Sequence, residues 1–216
     1  MKTIYWLILA MLMPMFASCT SSDSELSNDT SLFQSMKDVY GIEDLSVSLS
    51  EVGKVPSVSL VEMQAILEAL RQNSNKTNAC SVEQVYGDYF GGQNETNKKV
   101  IMGTEYIAKT RTGSTLENFI LCVELKFNFD SGRVYYYGTD YRYNSRLFDW
   151  RANGLSLSPV KNASGLVYEF ESESFLYFKV KEEGDCLVKV GITFKGTFDF
   201  QSEKGSYSFQ LQKFTK

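Results

Sequence analysis

The sequence predicts a mostly β protein, built as a single antiparallel meander that forms a barrel or a sandwich, with one amphipathic helix packed on it. Three observations carry this prediction. The 216-residue chain is 43% hydrophobic, with 15 Phe and 13 Tyr, so it can bury a core and is rich in strand-favouring residues. From residue 80 onward, apolar-rich runs are separated by short turn-forming segments. One stretch, Ser59–Leu70, joins a helix-capping sequence to apolar residues at helical spacing.

Two helices and one strand are predicted before residue 80. Apolar residues on one helical face predict a short helix over Ser31–Tyr40, which Gly41 ends. Leu45–Leu49 alternates apolar residues with serines, which is typical of a half-buried strand. The second helix is the clearest in the chain, because Ser59 and Glu62 form a capping box that satisfies amide groups at its start. Its apolar face consists of Leu60, Met63, Ile66, Leu67 and Leu70.

Strands are predicted for most of the chain after Cys80. The best of them is Leu116–Phe129, where every second residue from Phe119 onward is apolar. In the long strand near the C-terminus, Gly191 and Gly196 predict bends or bulges. Short connections predict that strands adjacent in sequence also pair in space. The predicted strands are Val82–Phe90, Val100–Thr110, Leu116–Phe129, Arg133–Tyr143, Arg146–Ala152, Leu155–Val160, Leu166–Glu171, Phe175–Lys181, Cys186–Phe200 and Ser206–Phe214.

The N-terminus has the pattern of a secretion signal. Lys2 supplies a positive start, and Ile4–Met15 is an apolar run shorter than the roughly 20 residues that span a bilayer. The following segment, Phe16–Cys19, has two small residues directly before the cysteine and resembles the cleavage site of bacterial lipoproteins. This resemblance implies that Met1–Ser18 is removed and that Cys19 carries lipid. Stable anchoring needs more than one acyl chain, which such lipoproteins typically receive on that cysteine.

The residues after Cys19 predict a flexible leash up to residue 30. Thr20–Thr30 is polar and acid-bearing, so it lacks the apolar surface needed to order itself. Ser and Asp behind the cysteine resemble the surface-export signal of Bacteroidetes lipoproteins. This resemblance implies an outer-membrane protein that faces the cell exterior, although the sequence leaves a periplasmic orientation open. Residues 31–216 are predicted to form a single β-rich globular domain.

Composition excludes several functions. A net charge of −4 without a basic cluster excludes nucleic acid as a partner, because phosphate neutralisation dominates that affinity. The chain contains no histidine, so Ser-His-Asp and Cys-His sites cannot form and the usual zinc ligand is missing. Neither a metal nor another cofactor is predicted. Cys80, Cys122 and Cys186 permit at most one internal disulfide, and the sequence leaves their pairing open.

One aromatic stretch supplies the candidate ligand-binding residues. Its rings alternate with charged side chains, a combination that sugar sites need for stacking on pyranose rings and bonding their hydroxyls. The competing interpretation is that the tyrosines form cross-strand pairs and cover the core. The candidate residues are Tyr135, Tyr137, Tyr141, Tyr143 and Trp150.

Three functions fit the sequence. The first is a non-enzymatic, surface-exposed outer-membrane lipoprotein, attached through lipidated Cys19, that binds an extracellular ligand such as a glycan. The second is a structural or accessory subunit that docks on an envelope protein complex. The third is a carboxylate-based glycoside hydrolase, for which the separation of two acids is decisive. The acids available for it are Glu105, Glu117, Glu124, Asp140 and Asp149.

Overall fold

The computed structural model describes residues 22–45, 54–74, 76–85, 96–130, 133–160 and 166–214. The predicted signal, Cys19 and most of the predicted strand Leu45–Leu49 lie outside these residues. The elements in chain order are α1 (Ser22–Tyr40), β1 (Glu43–Asp44), β2 (Ser57–Val58), α2 (Leu60–Asn73), β3 (Asn78–Ala79), β4 (Ser81–Val85), β5 (Thr96–Lys109), β6 (Thr115–Asp130), β7 (Arg133–Tyr143), β8 (Asp149–Ala152), β9 (Ser156–Pro159), β10 (Val167–Val180), β11 (Cys186–Asp199), β12 (Lys204–Leu211) and a 3-10 helix (Gln212–Phe214).

The strands form two sheets, which pack face to face as in a sandwich and do not close into a barrel within the described residues. The prediction of a mostly β, antiparallel fold with a helix packed on it is confirmed. Sheet B is the meander β4-β5-β6-β7. Sheet A has β10, β11 and β12 at its centre, with β8 and β9 end to end along one side of β10. The pairing of β2 with β10 is parallel.

The hydrophobic core lies between the two sheets. On β6 the alternate apolar residues that the sequence singled out are almost fully buried and point toward sheet A: Phe119, Leu121, Val123, Leu125 and Phe127. On sheet A the matching face carries Leu176 and Phe178 of β10, and Val190 and Phe194 of β11. Because one face of each sheet is buried in this way, the opposite face of each is an outer face that meets solvent.

The helix α2 covers one side of the core, against β5 and β12. The predicted capping box is present: the Glu62 amide donates to Ser59 Oγ at 3.2 Å, and the Ser59 amide donates to Glu62 Oε2 at 2.8 Å. Met63, Ile66 and Leu67 of its apolar face are fully buried. These contacts, rather than helix propensity, stabilise the element.

The helix α1 ends as predicted but begins earlier. Gly41 follows it with a φ of +67°, the left-handed conformation that glycine adopts without strain, and its amide donates to the Lys37 carbonyl at 3.0 Å. Residues 22–30, which the sequence predicted as part of the leash, are helical. Met36 and Tyr40 are buried, and α1 packs against α2. No helix in the described ranges is long and apolar enough to cross a membrane.

One predicted turn is wrong. Glu171–Ser174 was expected to separate two strands, but β10 continues through it as a single strand. Polar residues occur there on both faces, because Ser172 and Ser174 point into the core while the glutamates point outward. The core tolerates the hydroxyls because they have partners; Ser174 Oγ, for example, donates to the Ile192 carbonyl at 3.1 Å.

Of the bends or bulges predicted at Gly191 and Gly196, the bulges are wrong, since β11 pairs with β10 without a register shift at either position. Gly196 instead permits close packing. A Cβ atom there would lie 2.6 Å from the ring of Phe170 on the neighbouring strand. The bulges of the described strands fall in sheet B, at Ala108–Lys109 and Lys126–Phe127.

Candidate functional site

A β-bulge divides the predicted aromatic site. Lys126 of β6 lies opposite Gly138, but the next residue, Phe127, lies opposite Tyr136. Tyr137 is therefore the additional residue of β7 at the bulge. An added residue reverses the alternation of side chains between the two faces of a strand. The tyrosines before and after the bulge consequently do not form one row of rings.

The remaining candidates are divided between the two faces of sheet B and the other sheet. Tyr135 lies opposite Asn128 on the outer face and is 48% exposed. Tyr141 and Tyr143 lie opposite buried apolar residues of β6, so they point toward the core side. Trp150 belongs to β8 of the other sheet and is only 4% exposed.

Tyr141 and Trp150 pack where the two sheets meet. Their rings contact edge to face, with centroids 5.6 Å apart. The Tyr141 hydroxyl lies 3.1 Å from Ser172 Oγ of β10, which joins sheet B to sheet A. Burial raises the pKa of Tyr141. Nε1 of Trp150 has no hydrogen-bond partner among the residues that the structure describes.

Tyr143 is held by a ring and a carboxylate. Its ring stacks on Phe148 with centroids 5.7 Å apart, and its hydroxyl donates to Asp149 Oδ1 at 2.5 Å. Burial, followed by this hydrogen bond, raises the pKa of Tyr143. Arg151 also binds Asp149, through Nε and Nη2, both 2.7 Å from Oδ2. These tyrosines therefore have structural partners of their own.

The five acids considered for hydrolysis are not brought together in one cleft. Glu117 accepts from Ser145 Oγ at 2.6 Å and from the Arg146 amide at 3.0 Å. Glu124 and Asp140 form ion pairs on the outer face of sheet B. Asp149 binds Tyr143 and Arg151, as above. Glu105 lines a separate depression between α2 and β5.

A cleft of about 410 Å³ lies on the outer face of sheet A, across β9, β10, β11 and β12. Strand register arranges its polar side chains in two rows. The first row runs Ser158, Glu169, Thr197, Ser206, and the second runs Ser156, Glu171, Lys195, Ser208. Thr77, one residue before β3, adds a sixth hydroxyl beside the second row. Small hydroxyl side chains thus occupy both margins, and the charged side chains occupy the middle strands.

The polar side chains of this cleft have no partners among the residues that the structure describes. None of the six hydroxyls, nor Glu169, Glu171 or Lys195, makes a hydrogen bond or ion pair through its side chain with any residue that the structure describes. Ser208 is the most notable, because it is only 7% exposed. Its hydroxyl oxygen is not among the buried atoms that lack a partner, so it reaches solvent and is open to water or a ligand. The cleft therefore brings together hydrogen-bond donors and acceptors that have no partner among the described residues.

The sequence did contain a signal for this site. Each of the four strands carries a polar–apolar–polar triplet, with one central position a glycine: Ser156–Ser158, Glu169–Glu171, Lys195–Thr197 and Ser206–Ser208. The triplets indicate which side chains point outward. They do not indicate register, and register is what places the four triplets side by side.

The acidic and thiol side chains of the described ranges are the remaining candidates for metal binding and thiol chemistry. No group of three or more carboxylate, thiol or imidazole side chains there is placed to hold a metal ion. Cys80, Cys122 and Cys186 are free thiols. Burial raises the pKa of all three, and that of Cys80 to about 12, so they stay protonated at neutral pH.

The family model for DUF5033, a domain of unknown function, matches residues 24–211, from the start of α1 to the end of β12. The chain belongs to the DUF5033 family. The match includes both sheets of the DUF5033 domain and every residue of the cleft. No curated protein and no solved structure matches this chain.

Proposed function

We propose that this protein is a non-enzymatic lipoprotein that binds a polyhydroxylated extracellular ligand, such as a glycan, in the cleft of sheet A. The observation that carries the proposal is the convergence of six hydroxyls and three charged side chains, none with a partner in the described structure. The cleft volume of about 410 Å³ falls within the range of small-molecule sites, roughly 300–1,000 Å³.

The lining suits a sugar for a simple chemical reason. A sugar hydroxyl both donates and accepts hydrogen bonds, and serine and threonine hydroxyls rotate to do the same. The carboxylates of Glu169 and Glu171 accept hydrogen bonds, and the ammonium group of Lys195 donates them. A ligand in the cleft would replace water at the Ser208 hydroxyl, which has no partner among the described residues and reaches solvent.

Membrane attachment completes the proposal. Lipid on Cys19 would hold the domain at the outer membrane, and the export-like segment behind it favours display to the exterior. Growth with an alkyne-bearing fatty acid is expected to label the full chain and not the Cys19→Ala variant. Protease treatment of intact cells is then expected to remove the domain while a periplasmic control protein survives. Unlabelled wild-type chain would contradict the lipid anchor, and a protected domain would contradict outward display.

The binding test is a glycan panel followed by calorimetry with the best ligand. Ser208→Ala and Glu171→Gln together are expected to weaken binding about tenfold, which corresponds to about 1.4 kcal/mol. Tyr143→Phe serves as a control, because it alters the aromatic site that the sequence predicts and leaves the cleft intact. Absence of any glycan binding, or equal binding by the cleft variant, would overturn the proposal. Shortening of an oligosaccharide by the protein would show hydrolysis instead.

Docking on an envelope protein is a second candidate, supported by the edge strand β7. Its described strand neighbour is β6 on one side only, and it carries the exposed rings of Tyr135 and Tyr136, 48% and 43% accessible. An exposed strand edge is a template for pairing with another chain. Co-purification of one stoichiometric partner from detergent extracts, lost in Tyr135→Lys and retained in Glu171→Gln, would favour this function.

A further inference from the structure

Three glutamates follow one another on the outer face of β10: Glu169, Glu171 and Glu173. All three side chains are exposed and point to the same side of the strand. Successive residues on one face of a strand are about 6.6 Å apart, so these carboxylates repel one another. A cation placed above them would relieve that repulsion.

One lysine of the neighbouring strand faces these glutamates, and it forms no ion pair with any residue that the structure describes. Lys195 lies directly opposite Glu171 and diagonally opposite the other two glutamates, within the reach of a lysine side chain. No ion pair joins Lys195 to any of the three in the described structure. Within the cleft, the carboxylates of Glu169 and Glu171 face this single ammonium group, so the cleft carries a net negative charge.

The surroundings distinguish an organic cation from a metal ion. The described residues contain no grouping of acids placed to hold a metal. Beside the glutamates, the cleft instead offers hydroxyls, among them the 7% exposed and unpartnered Ser208. A bare ion would leave these hydroxyls unused, whereas a sugar carrying an amine would engage both them and the carboxylates.

We infer that the ligand of the sheet A cleft is a saccharide bearing a free ammonium group, that is, an amino sugar that is not N-acetylated. The inference rests on the proposed binding function and narrows its ligand class. Glu169 and Glu171 accept hydrogen bonds from the ammonium group, and the serines bond the ring hydroxyls. Lys195 donates to a hydroxyl or ring oxygen at the opposite side of the cleft.

The test uses two oligosaccharides that differ only in charge: a β-1,4-linked glucosamine hexamer and its fully N-acetylated form. Calorimetry is carried out on the full chain in neutral detergent at about pH 6, where the amines are protonated. The glucosamine hexamer is expected to bind at least about tenfold more tightly than the acetylated form, because charge-assisted hydrogen bonds are the stronger ones. Added salt is expected to reduce that preference.

Variants locate the effect. Glu169→Gln with Glu171→Gln is expected to bring the ratio of the two affinities close to one, and Lys195→Met is expected to increase it. Glu105→Gln is the control, because it removes one carboxylate charge from an exposed position outside the cleft and should leave the ratio unchanged.

The outcomes separate this inference from the proposed function. Two results would overturn the amino-sugar inference and leave glycan binding intact. The first is equal affinity for the two hexamers. The second is that neither hexamer binds while an uncharged glycan from the panel does. A preference for the amine that Glu105→Gln abolishes as fully as the cleft variants would show general attraction to an acidic protein and also overturn it. Failure of every glycan, charged or neutral, would overturn both.

Discussion

The outer face of sheet B and the cleft on sheet A carry similar side chains in opposite states of pairing. On sheet B, Glu124 Oε2 lies 3.1 Å from Lys99 Nζ and 2.9 Å from Arg142 Nη2. Lys126 Nζ lies 2.5 Å from Asp140 Oδ2. Each of these pairs runs diagonally between neighbouring strands. This face is a network of ion pairs, in which the charges lie close together while Glu124 Oε2 accepts no well-directed hydrogen bond from a described residue.

On sheet A the same diagonal relation exists between Lys195 and Glu169, yet no ion pair forms in the described structure. The difference lies in geometry rather than composition. A paired face contributes to folding, whereas an unpaired and concave one keeps its donors and acceptors for another molecule. This contrast agrees with a structural role for the outer face of sheet B and with the proposed binding role of the sheet A cleft.

The largest effect is expected at Glu124, whose side chain is 5% exposed. Glu124→Gln removes the charge that pairs with Lys99 and Arg142, and breaking a buried pair costs about 3–5 kcal/mol. Because the Arg142 side chain is 60% exposed, we expect a smaller loss, about 2 kcal/mol in the free energy of unfolding. Glu171→Gln is expected to change it by less than about 0.5 kcal/mol. Urea denaturation measures both, and equal losses would contradict the comparison.

A glycine from each sheet gives a second matched pair. At Gly196 of sheet A an added Cβ would meet the Phe170 ring at 2.6 Å, whereas at Gly138 of sheet B its nearest neighbour would be Lys126 Cδ at 3.9 Å. Gly196→Ala is expected to destabilise the protein by about 1.5 kcal/mol through overpacking. Gly138→Ala should be neutral or slightly stabilising. Thermal denaturation of the two variants measures this difference. An unchanged melting temperature for Gly196→Ala would contradict the close packing at Gly196.

The hydrogen bond between the sheets gives a smaller effect. Tyr141→Phe removes the hydroxyl that lies 3.1 Å from Ser172 Oγ and leaves the ring against Trp150. The loss is expected to be about 1 kcal/mol, a typical net value for one hydrogen bond. Tyr135→Phe is the control, since Tyr135 is exposed on the outer face, and it should not change stability measurably. Denaturant titration of both variants tests this. A stability for Tyr141→Phe equal to that of the wild type would mean that the bond does not hold the sheets together.

The smallest expected effect is a change in stability at alkaline pH, which is specific to Tyr141. Burial raises the pKa of Tyr141 above its ordinary value near 10. The unfolded chain therefore loses the phenolic proton first, so the contribution of the protonated hydroxyl is present below about pH 10 and is lost as pH rises through the folded pKa. The advantage of the wild type over Tyr141→Phe is expected to shrink between about pH 9 and pH 11. A difference independent of pH would contradict the assigned burial.

Local signals in the sequence were enough for much of the fold. The capping box at Ser59 and Glu62 and the alternation along β6 depend only on neighbours in the chain, and both appear as predicted. The continuity of β10 was missed because hydroxyls point into the core there, and their acceptors lie on another strand. A run of polar residues predicts a turn when their hydrogen-bond partners lie elsewhere in the sequence.

The candidate site was less accessible to sequence reasoning. The aromatic prediction required an uninterrupted alternation along β7, and the bulge at Tyr137 reverses it. The cleft consists of four short triplets that become neighbours only through the register of β9, β10, β11 and β12. Neither the bulge nor the register follows from residue types alone.

The most direct test of the central claim is amide chemical-shift mapping of the isotope-labelled full chain in detergent, titrated with the glucosamine hexamer. The account predicts saturable shifts at Ser156–Ser158, Glu169–Glu171, Lys195–Thr197 and Ser206–Ser208, with the resonances of β4 to β7 unmoved. Shifts concentrated on β7, around Tyr135 and Tyr136, would contradict it and move the binding surface to the edge of sheet B.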